Sequence, residues 1–153
     1  KLYAAGGLAV GSLLATVEAF DVQAGTWAAV APMSEVRCSV AVAAVAGRLY
    51  AISGGLGVAA SQSAEAFDPQ TGAWAAVAPM AKGRDAAGAA VLDGKIYVAG
   101  GCGGYYLNSM EIYDPDTNTW AVAAPMISAR DEFGMAAIGG KIYAAGGNGG
   151  AGT

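Results

Sequence analysis

The chain has 153 residues, of which 55% are hydrophobic and 13% charged. That balance excludes a disordered chain and leaves enough apolar surface for a packed core. Net charge is −4 and the pI is near 4.5, with the eight Lys and Arg scattered rather than gathered in a basic patch; a nucleic-acid partner is therefore not expected. The sequence has no histidine, which removes the commonest general base and the commonest metal ligand together.

Cys38 and Cys102 are the only cysteines and lack CxxC spacing. Two thiols without a disulfide framework fit a reducing compartment, so a cytoplasmic location is expected. The apolar stretch Ser39–Ala60 is broken at Gly47-Arg48 and at Gly54-Gly55, short of the roughly 20 clean apolar residues a membrane span needs. No membrane association is expected. The chain opens on Lys1 already inside a repeat and closes just after beginning another, as a piece of a longer protein would.

The first recognisable element is Lys1-Leu-Tyr-Ala-Ala-Gly-Gly7. It returns as RLYAISGG at 48–55, KIYVAGG at 95–101 and KIYAAGG at 141–147. Four copies at intervals of about 46 residues place the chain among repeat proteins. The second copy has one more residue before its glycines, which predicts a β-bulge. After the glycines the copies diverge, at Leu8–Leu13, Leu56–Ser61 and Cys102–Asn108. One of these stretches, Gly55-Leu-Gly-Val-Ala-Ala60, mimics a dinucleotide fingerprint, but the other copies lack it and no helical pattern follows.

Next in each unit comes a strand in which Glu alternates with an aromatic, at Thr16–Asp21, Ser63–Asp68 and Met110–Asp114. A turn led by its aspartate follows, with Asp-Pro in the later two copies; Asp caps such a turn and Pro presets its φ. A further strand is predicted over Trp27–Met33, Trp74–Met80 and Trp120–Met126, where Pro32, Pro79 and Pro125 suit an edge strand. An arginine-bearing loop then leads to the apolar runs Val40–Val45, Ala87–Leu92 and Phe133–Ile138. Each run is joined to the next heptapeptide by Ala46-Gly47, Asp93-Gly94 or Gly139-Gly140, dipeptides that favour a two-residue hairpin turn.

The internal spacings are rigid. Glu18, Glu65 and Glu111 each precede a tryptophan by nine residues, each tryptophan precedes Arg37, Arg84 or Arg130 by ten, and each arginine precedes a motif tyrosine by thirteen. Four short strands per unit is the arithmetic of a propeller blade, and a blade must bury its aromatics against its neighbour. Tyr-x-x-Gly-Gly, Glu-x-[Phe/Tyr]-Asp-Pro, Trp-x-x-x-x-Pro-Met and Arg together resemble the Kelch repeat over nearly the whole chain. The resemblance implies an all-β, Kelch-type β-propeller of four-stranded antiparallel blades, usually five to seven of them. About three are present here, as units 1–39, 40–86 and 87–132 and a start at 133–153. Either further blades complete the ring or chains associate to do so.

Features shared by every unit are expected to be scaffold. The repeated Glu/Asp pairs read as ion-pairing and turn-capping groups. Arg37, Arg84 and Arg130 stand between two readings, a brace for the blade or a bidentate contact for an acidic ligand. The divergent loops on the same face carry Tyr105, Tyr106 and Asn108, the composition of a binding surface. In Kelch adaptors that hold peptides, residues beside the loop arginine contact ligand, which by motif position implies Cys38, Ser39, Asp85, Asp131 and Glu132. The resulting expectation is a non-catalytic module that binds a protein or peptide, with no cofactor and no metal. Within the family the leading context is the substrate-recognition part of a ubiquitin ligase. An actin-associated or assembly scaffold is the alternative, and a Kelch-like sugar oxidase or epimerase is a more distant one.

Overall fold

The computed structural model describes residues 1–55 and 59–149. Residues 56–58, in the fingerprint-like stretch, and the closing residues 150–153 lie outside the described residues. Every regular element among those described is a strand. The first sheet joins β1 (Leu2–Ala5), β4 (Val17–Asp21) and β5 (Thr26–Val30) in that order, with the small hairpin β2 (Leu8–Ala9) and β3 (Ser12–Leu13) inserted after β1. The second sheet runs β6 (Ala41–Val45), β7 (Arg48–Ile52), β8 (Ala64–Asp68), β9 (Ala73–Val77). The third repeats it as β10 (Gly88–Leu92), β11 (Lys95–Ala99), β12 (Met110–Asp114), β13 (Thr119–Ala123), and β14 (Gly134–Ile138) pairs with β15 (Lys141–Ala145).

All neighbouring strands are antiparallel, and the register repeats: Leu49 faces Phe67 as Ile96 faces Tyr113, and Ala51 faces Glu65 as Val98 faces Glu111. The innermost strands β6, β10 and β14 touch in sequence, so the sheets fan out from a common axis. The core lies between sheets. Ala41, Ala43, Tyr50, Ile52, Ala64 and Ala66 pack with Ile96, Val98 and Tyr113 across the second junction. Small residues on the inner strands let two pleated surfaces approach closely, and each wholly buried isoleucine adds about 1.5–3 kcal/mol.

The hairpins form as the dipeptides predict. Ala46-Gly47, Asp93-Gly94 and Gly139-Gly140 all have positive φ at both positions, the signature of a type I′ turn. Asp21 and Asp68 cap their turns by accepting from the amides of Gln23 and Gln70 at 3.0 and 2.8 Å. Where the third repeat lacks the turn glycine, Asn118 takes the left-handed conformation at φ 52°, which asparagine tolerates better than most residues.

Two expectations are corrected. The second copy of the heptapeptide has no bulge, because its strand keeps the same register as the third. Ser53, at φ 59°, occupies the place of the first glycine, and Gly54 that of the second. The matching bonds prove the equivalence: Ser53 donates to Ser63 as Gly100 does to Ser109, and Gly54 to Arg84 as Gly101 to Arg130. The outer strands also stop before their prolines, at Val30, Val77 and Ala123. At the two junctions the structure describes, the carbonyl before the proline is taken by a tryptophan of the next sheet: Trp74 Nε1 donates to Ala31 at 2.8 Å and Trp120 Nε1 to Ala78 at 2.7 Å.

Candidate interaction face

The loops leading to β6, β10 and β14 lie on the same face as the segments that follow the glycine pairs. Short bridges join them: Cys38 pairs with Gly55, Asp85 with Cys102 and Asp131 with Asn148. The glycines make this possible. A Cβ on Gly101 would lie 2.7 Å from the Asp85 carbonyl, and one on Gly54 would lie 2.6 Å from the Cys38 carbonyl, inside any real contact. The arginine loops are also linked to each other about the axis, Ala86 donating to Ser39 at 3.2 Å and Glu132 to Ala86 at 3.1 Å.

Beneath this face the arginines settle on the bracing side of their two readings. Arg37 and Arg84 are 0% and 1% exposed. Arg37 donates to Glu65 Oε1 at 3.1 Å through Nη2 and to the Ser53 and Ser63 carbonyls through Nη1. Arg84 reaches Glu111 Oε1 at 3.1 Å and the Gly100 and Ser109 carbonyls at 2.9 Å. A guanidinium so enclosed holds one loop to the next blade and is not presented to a partner, which corrects the partner-contact reading for both residues. Glu65 and Glu111 are thereby ion-pairing groups, each also accepting a loop amide, from Ser34 and Ala81 respectively, at 2.8 Å. Arg130 is half-buried and donates to the Gly146 carbonyl at 2.8 Å, with no carboxylate partner among the described residues.

The other candidate residues fall into two groups. Around the third blade, Tyr105 and Tyr106 are exposed, and Tyr105 is held by Lys82, whose Nζ donates to its hydroxyl at 3.1 Å and sits 5.4 Å from its ring centre. Cys38 and Asp85 line a cavity of about 320 Å³ together with Gly55, Ala60 and Cys102. Asp85 Oδ1 is buried there without a hydrogen-bond partner among the described residues. Ser39 is exposed beside it, and Asn108 is spent on the Met126 carbonyl at 3.2 Å. The second group stands apart around Asn148, which bridges to Asp131 and donates to Glu132 Oε2 at 2.8 Å.

A wider groove of about 620 Å³ runs between the second and third blades, lined by Ala59, Ser61, Gln62, Lys82, Gly83 and Gly103. Its lining is mostly backbone and small side chains, with one cation at the Tyr105 end. Sequence reasoning placed the loops that carry Lys82 and Cys102 on this face but did not single out either residue as a partner contact. Lys82 stands two residues before Arg84 in the loop that reads Ser34-Glu-Val-Arg-Cys38 in the first repeat and Ile127-Ser-Ala-Arg-Asp131 in the third, and that variation was the available signal. Among the described residues no three His, Cys, Asp or Glu side chains are placed to hold a metal ion, and no helix is long and apolar enough to cross a membrane.

Antiparallel sheets of up to four strands repeated about an axis, the first clasped to the second and the second to the third by a buried arginine–glutamate pair and a tryptophan–carbonyl bond, define a β-propeller of about three blades. The Kelch motif matches at residues 1–34, 37–81 and 83–127, and the chain belongs to the Kelch-repeat proteins. No curated protein matches the chain. Kelch repeats commonly serve as protein-interaction modules.

Proposed function

We propose that this propeller segment is a non-catalytic interaction module that docks a protein or peptide on its loop face, across the groove between the second and third blades. The observation that carries the reading is the exposure of Tyr105 and Tyr106, 62% and 39%, at the edge of a groove whose walls offer backbone groups and one lysine. Aromatic side chains standing beside a concave surface are the usual anchors of an interface. Lys82 fixes the Tyr105 ring in advance, which lowers the ordering cost on binding. A partner segment lying in the groove would meet Ser61 and Gln62 on one side and Gly103 on the other. As the finer assignment, the module is proposed as the substrate-recognition part of a ubiquitin ligase, a context supported by the Kelch resemblance alone. The two unpaired cysteines support a reducing compartment, and the cytoplasm is the compartment proposed.

The test is selection of binders from a random peptide library displayed on phage, followed by fluorescence-polarisation titration of the selected peptides. Tyr105→Ala and Tyr106→Ala are expected to weaken binding at least about 10-fold each. Substitution of Thr71, on the opposite end of the second blade, is expected to leave it unchanged. Peptides that bind equally well to all three variants would sink this reading.

A further inference from the structure

The enclosed glutamates have partners. Glu65 and Glu111 each take an arginine and a loop amide, and the turn aspartates Asp21, Asp68 and Asp114 each accept from the amide two residues on. Asp85, where the second blade meets the third, is different. Its Oδ1 is shut off from solvent with no hydrogen-bond donor among the described residues, and no ion pair among them includes it. The neighbouring arginine does not serve, because Arg84 is turned to Glu111 and to the Gly100 and Ser109 carbonyls. A carboxylate held beside a cavity with no counter-charge is a cost that the fold does not offset from within.

Asp85 also stands where a partner can reach it. The cavity of about 320 Å³ that it lines opens into the groove between the second and third blades, for Ala59, Ala60 and Gly104 line both. Groove and cavity form one trench, with Lys82 and its tyrosine at one end and Asp85 at the other. With Oδ1 enclosed, the carboxylate meets the cavity through Oδ2. That oxygen lies 3.2 Å from the point a Cβ on Gly55 would occupy, and Cys38 Sγ lies 3.1 Å from the same point. Glycine at position 55 therefore keeps the gap between thiol and carboxylate open. The bridged positions equivalent to it in the later repeats hold side chains, those of Cys102 and Asn148, so the gap belongs to this junction and not to the scaffold.

We propose that this cavity is a lysine subsite: a peptide docked along the groove inserts a lysine side chain, and its ammonium meets Asp85 Oδ2. The unmatched carboxylate calls for a cation. The other walls, Cys38, Cys102 and Ala60, are small, soft and weakly polar, and they suit the methylene stem that a lysine buries behind its charge. Arginine is the poorer fit, because its planar fork gains most from two open oxygens and Asp85 offers one. The chain's net charge of −4 favours approach of such a segment. The inference rests on the loop-face docking proposed above and adds the chemistry of the partner.

The experiment selects a displayed random-peptide library against the unmodified chain and against Asp85→Lys. The unmodified chain is expected to enrich a lysine at one fixed position, and the variant an aspartate or glutamate there. In polarisation titrations Asp85→Asn, which keeps the shape of the side chain, is expected to weaken the lysine peptide at least about 10-fold and to leave its norleucine analogue unchanged. Acetylating that lysine is expected to cost a similar factor on the unmodified chain. Urea midpoints establish that the variants fold, and the Asp85→Asn titration decides alone if Asp85→Lys does not. Binders with no enriched lysine, or a lysine peptide held equally by Asp85→Asn, would overturn the subsite, while a loss on Tyr105→Ala would leave the docking face standing. A library that yields no binder, or binders indifferent to both Asp85→Asn and Tyr105→Ala, would overturn the two together.

Discussion

The Arg37 guanidinium meets the Glu65 carboxylate at 3.1 Å with side chains 0% and 3% exposed, joining the loop that leaves the first blade to the third strand of the second. Both charges are removed from water, and the arrangement holds only because the carbonyls of Ser53 and Ser63 and the amide of Ser34 satisfy what the pair leaves over. Removing Glu65 leaves the buried guanidinium only the half-exposed carboxylate of Glu35, 3.0 Å from its Nη2. Glu65→Ala is expected to cost about 3–5 kcal/mol, read as a fall in urea midpoint. Arg48→Ala, which breaks a pair whose arginine is 55% exposed, is expected to cost less than about 1 kcal/mol. Equal losses from the two variants would refute the bracing role.

The tryptophans supply a comparison at fixed chemistry. Trp120→Phe keeps most of the apolar bulk but deletes the Nε1 donor and leaves the Ala78 carbonyl unanswered, at an expected cost of about 1–3 kcal/mol. Trp27→Phe occupies the same repeat position, where the ring is 52% exposed. It is expected to shift the urea midpoint little, and equal falls from the two variants would contradict the role of the Trp120 bond.

Ser53 shows what a left-handed residue costs. It sits at φ 59° where the third blade has Gly100, and its Oγ is buried without a partner among the described residues. Ser53→Gly removes both the strain and the stranded hydroxyl, and is expected to stabilise the chain by about 1 kcal/mol. Gly101→Ala is the converse case. At φ 87° with its new Cβ 2.7 Å from the Asp85 carbonyl, it is expected to destabilise by several kcal/mol. Gly94→Ala, left-handed but with open space around it, is expected to cost about 1–2 kcal/mol. That order of the three midpoints is the check.

These sites also mark how far the sequence could be read. The strand order, the hairpin turns and the blade junctions were legible because Glu, Trp, Arg and Tyr recur at fixed spacings, and one spacing repeated three times constrains the geometry of all. Ser53 was not legible: counted along the chain it looks like an inserted residue, and only its backbone angle shows that it replaces a glycine. Arg37 could not be placed because spacing locates a side chain on a loop without saying which way it turns. Lys82 and Tyr105 meet between two loops that do not repeat, so no periodicity announced the contact. Cys38 and Cys102 stand far apart along the chain, yet the bridges through Gly55 and Asp85 bring both to one cavity.

The tyrosines of the second junction give a pH dependence. Burial raises the phenols of Tyr50 and Tyr113 above the ordinary value near 10, with their rings 5.6 Å apart. A raised folded-state pKa means that the unfolded chain loses these protons first. The stabilisation is therefore fully present below pH 10 and is lost as pH climbs through the higher folded-state values. Tyr113 adds a geometric reason for staying neutral, since its hydroxyl donates to Asn118 Oδ1 at 2.8 Å, an oxygen that also accepts from the Ala78 amide. Ultraviolet titration of phenolate absorbance is expected to show two of the seven tyrosines ionising late and together with unfolding. Tyr113→Phe is expected to remove one of the two late phenols and to flatten the fall in stability above pH 10, at the expense of leaving Asn118 with one donor fewer. A profile in which all seven ionise in one step, with the fold intact, would contradict the packing of this junction.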